Sequence, residues 1–547
     1  MSRFSHLQSA YPKALQSRKL CHLTHLLTNT KIIFDEGYVL KKILCEKNFY
    51  WIFNILATLV FGVLFYHCLG KTGENDYVYE FIHVNNDSVV LNGLLLFLSI
   101  VVLYFIGKIS SRITTERRRN IILFTACLLS AVFSFYWVVA SNTKPVADQM
   151  MICQYANAFN MDDFHGFDKG QYLARYSQQL GMVTLLRLIF AIFGESNYRA
   201  FQYLCAAMVP LLVLSGCMIV RILTEDNIKA EIYYFIFILT CFPMYAYTTF
   251  VYGDLISTIL GVFSIWMYLS CMKHFSWLRL GLFAVSIGMG VALRKNLLIL
   301  VVAIGIVTLI KLIFARSIKS LIILAALVVG VAGIHTLLWE SYRNVNSGEG
   351  REIPASLYIV MGLNDDYGRA GWHNAYEYAV FNEVGDDVKK ANEKAFEDLK
   401  MYLEIYKNDP DYMIDFFVRK MVNQWISPMY QSIAMNNEAA GGQLQPVKNI
   451  FAGGKLAKII EVQMKAFQLL LYGSIFFLLI IRRRDYNSIE SYVLLIAVFG
   501  GFLFSLMWEA KTRYVMPYLF MQIPYMAIGV NEFTDFWNRI HKREDNL

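Results

Sequence analysis

Charged residues stand directly beside several long apolar runs, at positions where they could act on a lipid phosphate. The carboxylates Asp148 and Asp254 each adjoin one such run, and Arg294 and Lys295 form a short turn between two others. A further short turn, 509–513, contains Glu509, Lys511 and Arg513. Arginine and lysine can neutralise the charge that develops on a departing phosphate, and a nearby carboxylate can take the proton of an incoming hydroxyl. These residue types together predict sugar transfer from a polyprenyl phosphate.

The composition shows what kind of elements must position these residues. Of 547 residues, 56% are hydrophobic and 17% are charged, against roughly 45–50% and about 25% in soluble domains. A water-soluble chain and a disordered chain are both excluded. The formal net charge of +8 is the excess of basic residues expected in cytoplasmic loops of a membrane protein, so we expect membrane lipids as partners and no nucleic acid.

Apolar runs long enough to cross the bilayer predict an all-α polytopic membrane protein with about twelve transmembrane helices. The runs are 51–69, 91–106, 121–140, 201–220, 232–250, 255–271, 278–293, 297–314, 321–338, 459–481, 492–508 and 514–530. The apolar segment 180–193 is too short to cross and carries Arg187 midway, so it is interpreted as an interfacial helix.

Basic residues predict which loops are cytoplasmic, because short cytoplasmic loops collect lysine and arginine. Runs such as Arg117 to Arg119 and Arg482 to Arg484 then lie inside, with both termini. Three long segments, 70–90, 141–199 and 340–458, lie outside. We therefore expect a multi-pass protein of the cell membrane whose active site faces the extracytoplasmic side.

The same pattern divides the chain into five parts. A cytoplasmic segment, 1–48, precedes a membrane domain, 49–338, that includes the catalytic outer loop 141–199. An extracytoplasmic helical domain, 339–458, is followed by the C-terminal membrane helices, 459–531, and a cytoplasmic tail, 532–547. Helical spacing within the outer domain predicts helices over 383–406 and 411–430, and paired glycines predict a mobile loop over 436–454.

The order of these features resembles a known family. An acidic first outer loop is followed by a tyrosine-rich approach to an interfacial helix, which includes Arg175 and Tyr176, then an outer Arg-Lys turn, a long outer insertion and the final turn 509–514. This arrangement, over 121–530, is similar to the GT-C superfamily of integral-membrane glycosyltransferases. The resemblance is greatest to bacterial members related to protein mannosyltransferases.

The resemblance implies roles for several residues. It implies an inverting transfer from a polyprenyl-phosphate sugar, with Asp148 as the base that activates the acceptor hydroxyl. Arg294, Lys295 and Arg513 are the implied phosphate-binding residues, with Glu509 orienting Arg513. Protein mannosyltransferases carry Asp-Glu where this chain has Asp148-Gln149, so we expect an extracytoplasmic glycan or glycolipid of the cell envelope as acceptor instead of a protein.

Other candidate positions and functions stay open. Trp372 offers a flat aromatic face on which a sugar could stack, and Asp168 or Asp254 could assist a divalent metal such as Mg²⁺ or Mn²⁺, although no metal is required by the residues. A polysaccharide polymerase or ligase would use the same donor class. A lipid-linked-glycan flippase or transporter is the alternative from another class, although such carriers usually place ionisable groups near the bilayer midplane.

Overall fold

A computed structural model describes residues 46–75, 82–110, 112–113, 115–346, 348–366, 368–434, 441–482 and 488–544. The predicted cytoplasmic segment 1–48 therefore lies almost entirely outside the described residues. In chain order the helices are α1 (Glu46–Gly70), α2 (Val89–Ser110), α3 (Glu116–Ser141), α4 (Asp148–Asn160), α5 (Tyr172–Arg175), α6 (Leu180–Phe193), α7 (Tyr198–Thr224), α8 (Ile228–Thr240), α9 (Phe242–Ala246), α10 (Asp254–Lys273), α11 (Trp277–Leu293), α12 (Leu298–Ala315), α13 (Ile318–Glu340), α14 (Ala355–Gly362), α15 (Tyr376–Glu383), α16 (Val388–Asn408), α17 (Pro410–Trp425), α18 (Gln445–Phe451), α19 (Lys455–Ile481), α20 (Val493–Met507) and α21 (Met516–Glu544).

Two short antiparallel hairpins interrupt the helices. Strand β1 (Lys71–Asn75) pairs with β2 (Ile82–Asn86), and β3 (Asp365–Asp366) pairs with β4 (Arg369–Ala370). Both hairpins lie in segments predicted to be outside the membrane, where loop backbone can be hydrogen-bonded or solvated. The protein is an all-α polytopic membrane protein with these small additions.

Nine helices of the described chain are long and apolar enough to cross a membrane: α1, α2, α3, α7, α10, α12 with its preceding turn, α13, α19, and α20 with its preceding turn. A tenth span forms if α8 and the segment Phe242–Thr249, bent by 53°, are taken together. The twelve predicted spans include two more helices. Of these, α11 is apolar but has only 17 residues, and α21 is less apolar because it contains Gln522 and Asn531, both buried within the protein.

The loops form one polar assembly at each end of the helices. At one end, Gly73 N donates to Ile426 O at 2.9 Å and Ile353 N donates to Arg175 O at 3.2 Å. These contacts join the three segments predicted to lie outside. The short α6, predicted as an interfacial helix, belongs to this end through its first turn. The two-ended arrangement agrees with the predicted loop assignment, while the side of the membrane that each end faces stays a prediction.

The opposite end is held by ion pairs between segments predicted to be cytoplasmic. Lys229 pairs with Asp535 at 2.9 Å and joins the start of α8 to α21. Lys311 on α12 pairs with Glu490 at 2.8 Å and with Glu46 at 3.2 Å. Each partner comes from a different helix, so these pairs stabilise the bundle at this end.

The outer insertion contains more helices than its sequence pattern predicts. The helix expected over 383–406 corresponds to α16, which begins later than predicted because Gly385 and Asp386 adopt positive φ angles of 67° and 63° and the Asp387 side chain caps α16. Helix α15, which ends at Glu383, was not predicted. Helix α16 ends at Asn408, and α17 begins at Pro410, as the Asn-Asp-Pro sequence predicts. The loop expected over 436–454 contains α18, which begins with a proline at its first turn, while 435–440 lies outside the described residues.

Candidate functional site

The centre of the candidate site is the ring of Tyr252, which lies between two guanidinium groups. The Cζ atom of Arg294 is 4.9 Å from the ring centroid, and that of Arg513 is 5.4 Å from it. The ring of Tyr514 also faces both arginines, at 5.5 Å and 5.4 Å. Aromatic faces attract cations, so two like charges from distant parts of the sequence are held close together.

The turn before α10 brings Asp254 to Arg294. Gly253 lies so close to the end of α11 that a Cβ atom there would be 2.2 Å from the carbonyl oxygen of Leu293. The Asp254 carboxylate, whose side chain is 0% exposed, therefore lies 3.3 Å from Arg294 Nε. Burial lowers the pKa of the Arg294 guanidinium, but the Asp254 charge together with the neighbouring Tyr252 and Tyr514 raises it overall, so Arg294 stays a cation.

The last outer turn supplies the remaining charges. Tyr514 Oη donates to Glu509 Oε2 at 2.8 Å, and Lys511 Nζ is 3.6 Å from Glu509 Oε1. Arg513 is buried, and its backbone N–H donates to Gln431 Oε1 at 2.9 Å. The side chain of Tyr514 thus contacts both Glu509 and Arg513, while the orientation of Arg513 by Glu509 stays a prediction.

Asp148 joins the cluster through Tyr252. It is the first residue of α4 and is exposed, and its Oδ2 accepts a hydrogen bond of 3.5 Å from Tyr252 Oη. Gln179 Nε2 donates to the same hydroxyl. Burial and the Asp148 charge raise the pKa of Tyr252 to about 12, although the two arginines lower it. Tyr252 therefore keeps its proton at neutral pH and donates it to Asp148.

The outer insertion contributes a second group of side chains, which were not among the predicted site residues. Glu377 is almost fully buried, and its Oε1 is 3.4 Å from His373 Nε2. The hydrogen bond to Glu377 raises the pKa of His373. Burial, followed by the charges of Glu377 and Asp148, raises the pKa of Tyr176, which places Tyr176 in the field of both carboxylates. A lone Glu–His pair at i, i+4 in an insertion carries no distinctive sequence signal.

Two adjacent cavities, which share part of their lining, lie beside the cluster. A polar cavity of about 570 Å³ is lined by Arg294, Lys295, Glu509 and Tyr514, with Gln178 and Tyr358. A first apolar groove of about 800 Å³ runs between α11, α12 and α13. The two share Gln178, Lys295, Leu298 and Glu352. Asp148 and Arg513 do not line the polar cavity, and each contacts Tyr252.

Four other predicted residues have different surroundings. Lys295 stands where the polar cavity meets the first apolar groove and pairs with Glu352 at 3.0 Å. Arg175 is buried and pairs with Asp386 at 2.6 Å, which ties α5 to the outer insertion. Asp168 is exposed. Trp372 lines a separate cavity of about 330 Å³ beside β2 and α17. The structure therefore brings Lys295 to the cluster and places Trp372 in another cavity.

The carboxylates do not form an arrangement suited to a resident divalent metal. Within the described ranges, no three residues among histidine, cysteine, aspartate and glutamate lie close enough to hold an ion. Asp254, the buried carboxylate proposed to assist one, faces the Arg294 guanidinium. Oxygen-rich coordination by several ligands is what Mg²⁺ requires, and the described residues do not fit it.

A family model described as a conserved hypothetical integral membrane protein matches residues 43–404, more than half of the chain. The chain belongs to this family. The matched region contains Asp148, Tyr252, Asp254 and Arg294, and it ends before the turn that carries Glu509 and Arg513. No curated protein matches the sequence significantly.

Among solved structures, the archaeal oligosaccharyltransferase AglB from Archaeoglobus fulgidus, in complex with an inhibitory peptide and a dolichol-phosphate, is similar over 78% of this chain. The sequence identity is 11% and the TM-score is 0.40. This chain covers 52% of that chain, about half of its length.

Proposed function

We propose that this protein is an inverting glycosyltransferase of the GT-C type, which moves a sugar from a polyprenyl-phosphate carrier to an extracytoplasmic glycan or glycolipid of the cell envelope. The observation that carries this proposal is the junction between the polar cavity and the first apolar groove. One binding space then offers cations to a phosphate and apolar walls to a chain. That combination matches a lipid phosphate better than a soluble nucleotide sugar.

In the proposed reaction, the carboxylate of Asp148 takes the proton of the acceptor hydroxyl. The acceptor oxygen then attacks the anomeric carbon while the bond from that carbon to the phosphate oxygen breaks, and the bonding electrons leave with the phosphate. The charge gained by the phosphate is neutralised by Arg294 in the polar cavity and by Lys295 at the entrance of the groove. Arg513, which contacts the same Tyr252 and Tyr514 rings as Arg294, adds a second guanidinium charge from outside the cavity lining. Fixed cations in a water-poor site stabilise such a charge strongly.

Tyr252 is the proposed positioning residue. Its phenol donates to Asp148 at 3.5 Å, and its ring lies against both guanidinium groups. A single side chain thus connects the proposed base with the proposed phosphate-binding cations. Glu509, Lys511 and Tyr514 support the same cluster, while Arg175, Tyr176, Asp168 and Trp372 are proposed to contact substrate only at the periphery.

The test is a transfer assay with purified full-length protein and a panel of polyprenyl-phosphate sugars, with membrane lipid extract and cell-envelope glycan as acceptors. We expect Asp148→Asn to lower kcat by about 10²- to 10⁴-fold, the usual contribution of general base catalysis. The donor KM should change little, because Asp148 does not line the polar cavity. Asp162→Asn is the matched control, since Asp162 is an exposed aspartate of the same outer loop.

Four outcomes would count against the proposal. Unchanged turnover in Asp148→Asn would remove Asp148 from the mechanism, and an equal loss in Asp162→Asn would point to a general effect on the loop. If the wild-type protein transfers no sugar from any donor but moves the labelled donor across vesicle membranes, the protein is a flippase instead. Polymerisation of the acceptor would identify the polymerase or ligase alternative.

A further inference from the structure

A second apolar groove lies on the other side of α11 and α13 from the first. It has a volume of about 830 Å³ and is bordered by α6, α7, α10, α11 and α13. Its walls are mainly leucine, isoleucine and methionine, and Leu188 and Met289 on its border are exposed at the surface of the protein. Because the helices around it belong to the membrane part of the chain, this opening faces lipid.

One cation, Arg187, stands in the wall of this second apolar groove. Arg187 Nε is 3.4 Å from Asn160 Oδ1, and its guanidinium Cζ lies 5.5 Å from the ring centroid of Phe164 and 5.9 Å from that of Tyr342. No carboxylate of the described residues lies within 4 Å of it. Arg175 and Arg294, by contrast, each have an acidic partner. The Arg187 guanidinium therefore has donors to offer to an anion from outside the protein.

Arg187 lies at the polar end of the second apolar groove, beside the end of α13. Tyr342 follows the end of α13 by two residues, and its hydroxyl is 2.9 Å from Thr184 Oγ1 on α6. The groove therefore has its polar end at the same end of the helices as the polar cavity. Basic pockets between transmembrane helices bind anionic lipid headgroups in this way.

We infer that the second apolar groove binds a lipid with an anionic headgroup, with the chain along α6, α7 and α10 and the headgroup at Arg187. Resting on the proposed function, this lipid is the acceptor of the sugar, so the acceptor is a glycolipid and not a free glycan. The two grooves share Gly181, Ala292 and Leu338. Donor and acceptor lipids would thus lie side by side, separated by the contact between α11 and α13.

The separation between Asp148 and Arg187 also sets a minimum size for the acceptor headgroup. Helix α4 begins at Asp148 and ends at Asn160, which contacts Arg187. At 1.5 Å per residue the helix is about 18 Å long. A hydroxyl at Asp148 and an anionic group at Arg187 are therefore separated by more than one sugar ring, and the acceptor carries an oligosaccharide.

Lipid binding is tested with the full-length protein in detergent micelles and two photoactivatable probes, phosphatidylglycerol and phosphatidylcholine with the same diazirine-bearing acyl chain. We expect phosphatidylglycerol to label peptides of α6, α7 and α10 that border the groove, as located by mass spectrometry. Arg187→Gln should lower this labelling about tenfold, the loss expected for one charge-assisted contact. Labelling by phosphatidylcholine should be unchanged. Ala191→Trp, which fills the groove, should lower labelling by both probes.

The matched control is Arg343→Gln. Arg343 is an exposed arginine just beyond the same end of α13, where it pairs with Glu340, so its loss changes the local charge without touching the groove. If Arg343→Gln lowers labelling as much as Arg187→Gln, or if both probes label the wild-type groove equally, the lipid site is contradicted.

The acceptor assignment is tested with a polyprenyl-phosphate sugar as donor and a total membrane lipid extract as acceptor. We expect Arg187→Gln to raise the KM for the extract about tenfold and to leave the donor KM unchanged. An unchanged acceptor KM, with labelling still dependent on Arg187, would mean that the groove holds an ordinary membrane lipid and would overturn the acceptor assignment. If the wild-type protein transfers no sugar, the proposed function fails, while the labelling result still decides the lipid site.

Discussion

At the scale of single residues, the candidate site consists of charges held against aromatic rings. The charged members Asp148, Arg294 and Arg513 could be singled out from the sequence because they lie in short polar segments between apolar runs, on turns predicted to face outward. Tyr252 could not be singled out from the sequence, because tyrosine is frequent in this chain. Its contact with Asp148 joins residues 104 positions apart. Such a contact depends on how the helices pack, which local spacing does not encode.

Lys420 is a second residue whose importance appears only in the structure. It is fully buried on α17, where its Nζ donates to Gly362 O at the end of α14 and, at 2.9 Å, to Leu506 O near the end of α20. These carbonyls are at helix C-termini, where cations are favourable. Burial lowers the pKa of Lys420 to about 7, although the Glu509 charge opposes the shift.

This pKa predicts a pH dependence of stability. Between about pH 7 and pH 10.5 the unfolded chain binds a proton at Lys420 that the folded chain does not, so the free energy of unfolding rises with pH over this window. We expect the wild type to gain roughly 1 kcal/mol per pH unit relative to Lys420→Met. Thermal unfolding in detergent from pH 7 to pH 9.5 measures the difference. Lys400→Met, at an exposed lysine of α16, should follow the wild-type profile, and a parallel profile for Lys420→Met would contradict the prediction.

At the scale of secondary structure elements, the long helices could be predicted well and their mutual contacts could not. Apolar length identified the nine helices that are long enough to cross, and the Asn-Asp-Pro sequence located the boundary between α16 and α17. The break between α15 and α16 was not predicted, because the apolar spacing of the predicted helix begins only at Val388 and gives no sign of the two positive φ angles before it. The short α11 is a second example. Its packing against α13 depends on how closely the two helix backbones approach each other, which the apolar spacing does not predict.

The contact between α11 and α13 can be tested by a matched pair of glycines on α13. A Cβ atom at Gly330 would lie 2.3 Å from the carbonyl oxygen of Ala284, whereas a Cβ atom at Gly333 would meet nothing within 4 Å. We expect Gly330→Leu to force the helices apart and to lower the free energy of unfolding by about 1–3 kcal/mol. Gly333→Leu should be neutral or stabilising, because leucine favours a helix more than glycine does. Equal thermal unfolding midpoints for the two variants would contradict the close contact between α11 and α13 that separates the two grooves.

At the scale of the whole molecule, the loops form two assemblies at opposite ends of the helices. The sequence separated them by counting basic residues, and the structure brings the members of each group together. The side of the membrane that each assembly faces depends on the membrane and on the charges of the loops, and not on how the helices pack. Both termini are predicted to be cytoplasmic, and the end that holds Tyr252, Arg294 and Arg513 is predicted to be extracytoplasmic.

A topology reporter tests this assignment. A reporter inserted at Asn436, in a segment outside the described residues, should be accessible from outside the cell, whereas a reporter fused after Leu547 should respond only from the cytoplasm. The prediction follows from the positive-inside rule. Signals from the same side would mean that the chain crosses the membrane an even number of times between the two points, instead of the predicted three. A cytoplasmic signal at Asn436 would mean that the predicted sidedness is wrong and that the candidate site faces inward.

The sequence by itself determined the class of this protein, because twenty or so consecutive apolar residues have few alternatives to a helix in lipid and because basic residues mark one set of loops. It also indicated which charges could act on a phosphate. Only the tertiary structure decided that Tyr252 lies between Arg294 and Arg513, that Trp372 borders a different cavity, and that two apolar grooves flank α11 and α13. These features arise where helices far apart in the chain pack together, and close packing depends on shape at each contact, which apolar periodicity does not specify.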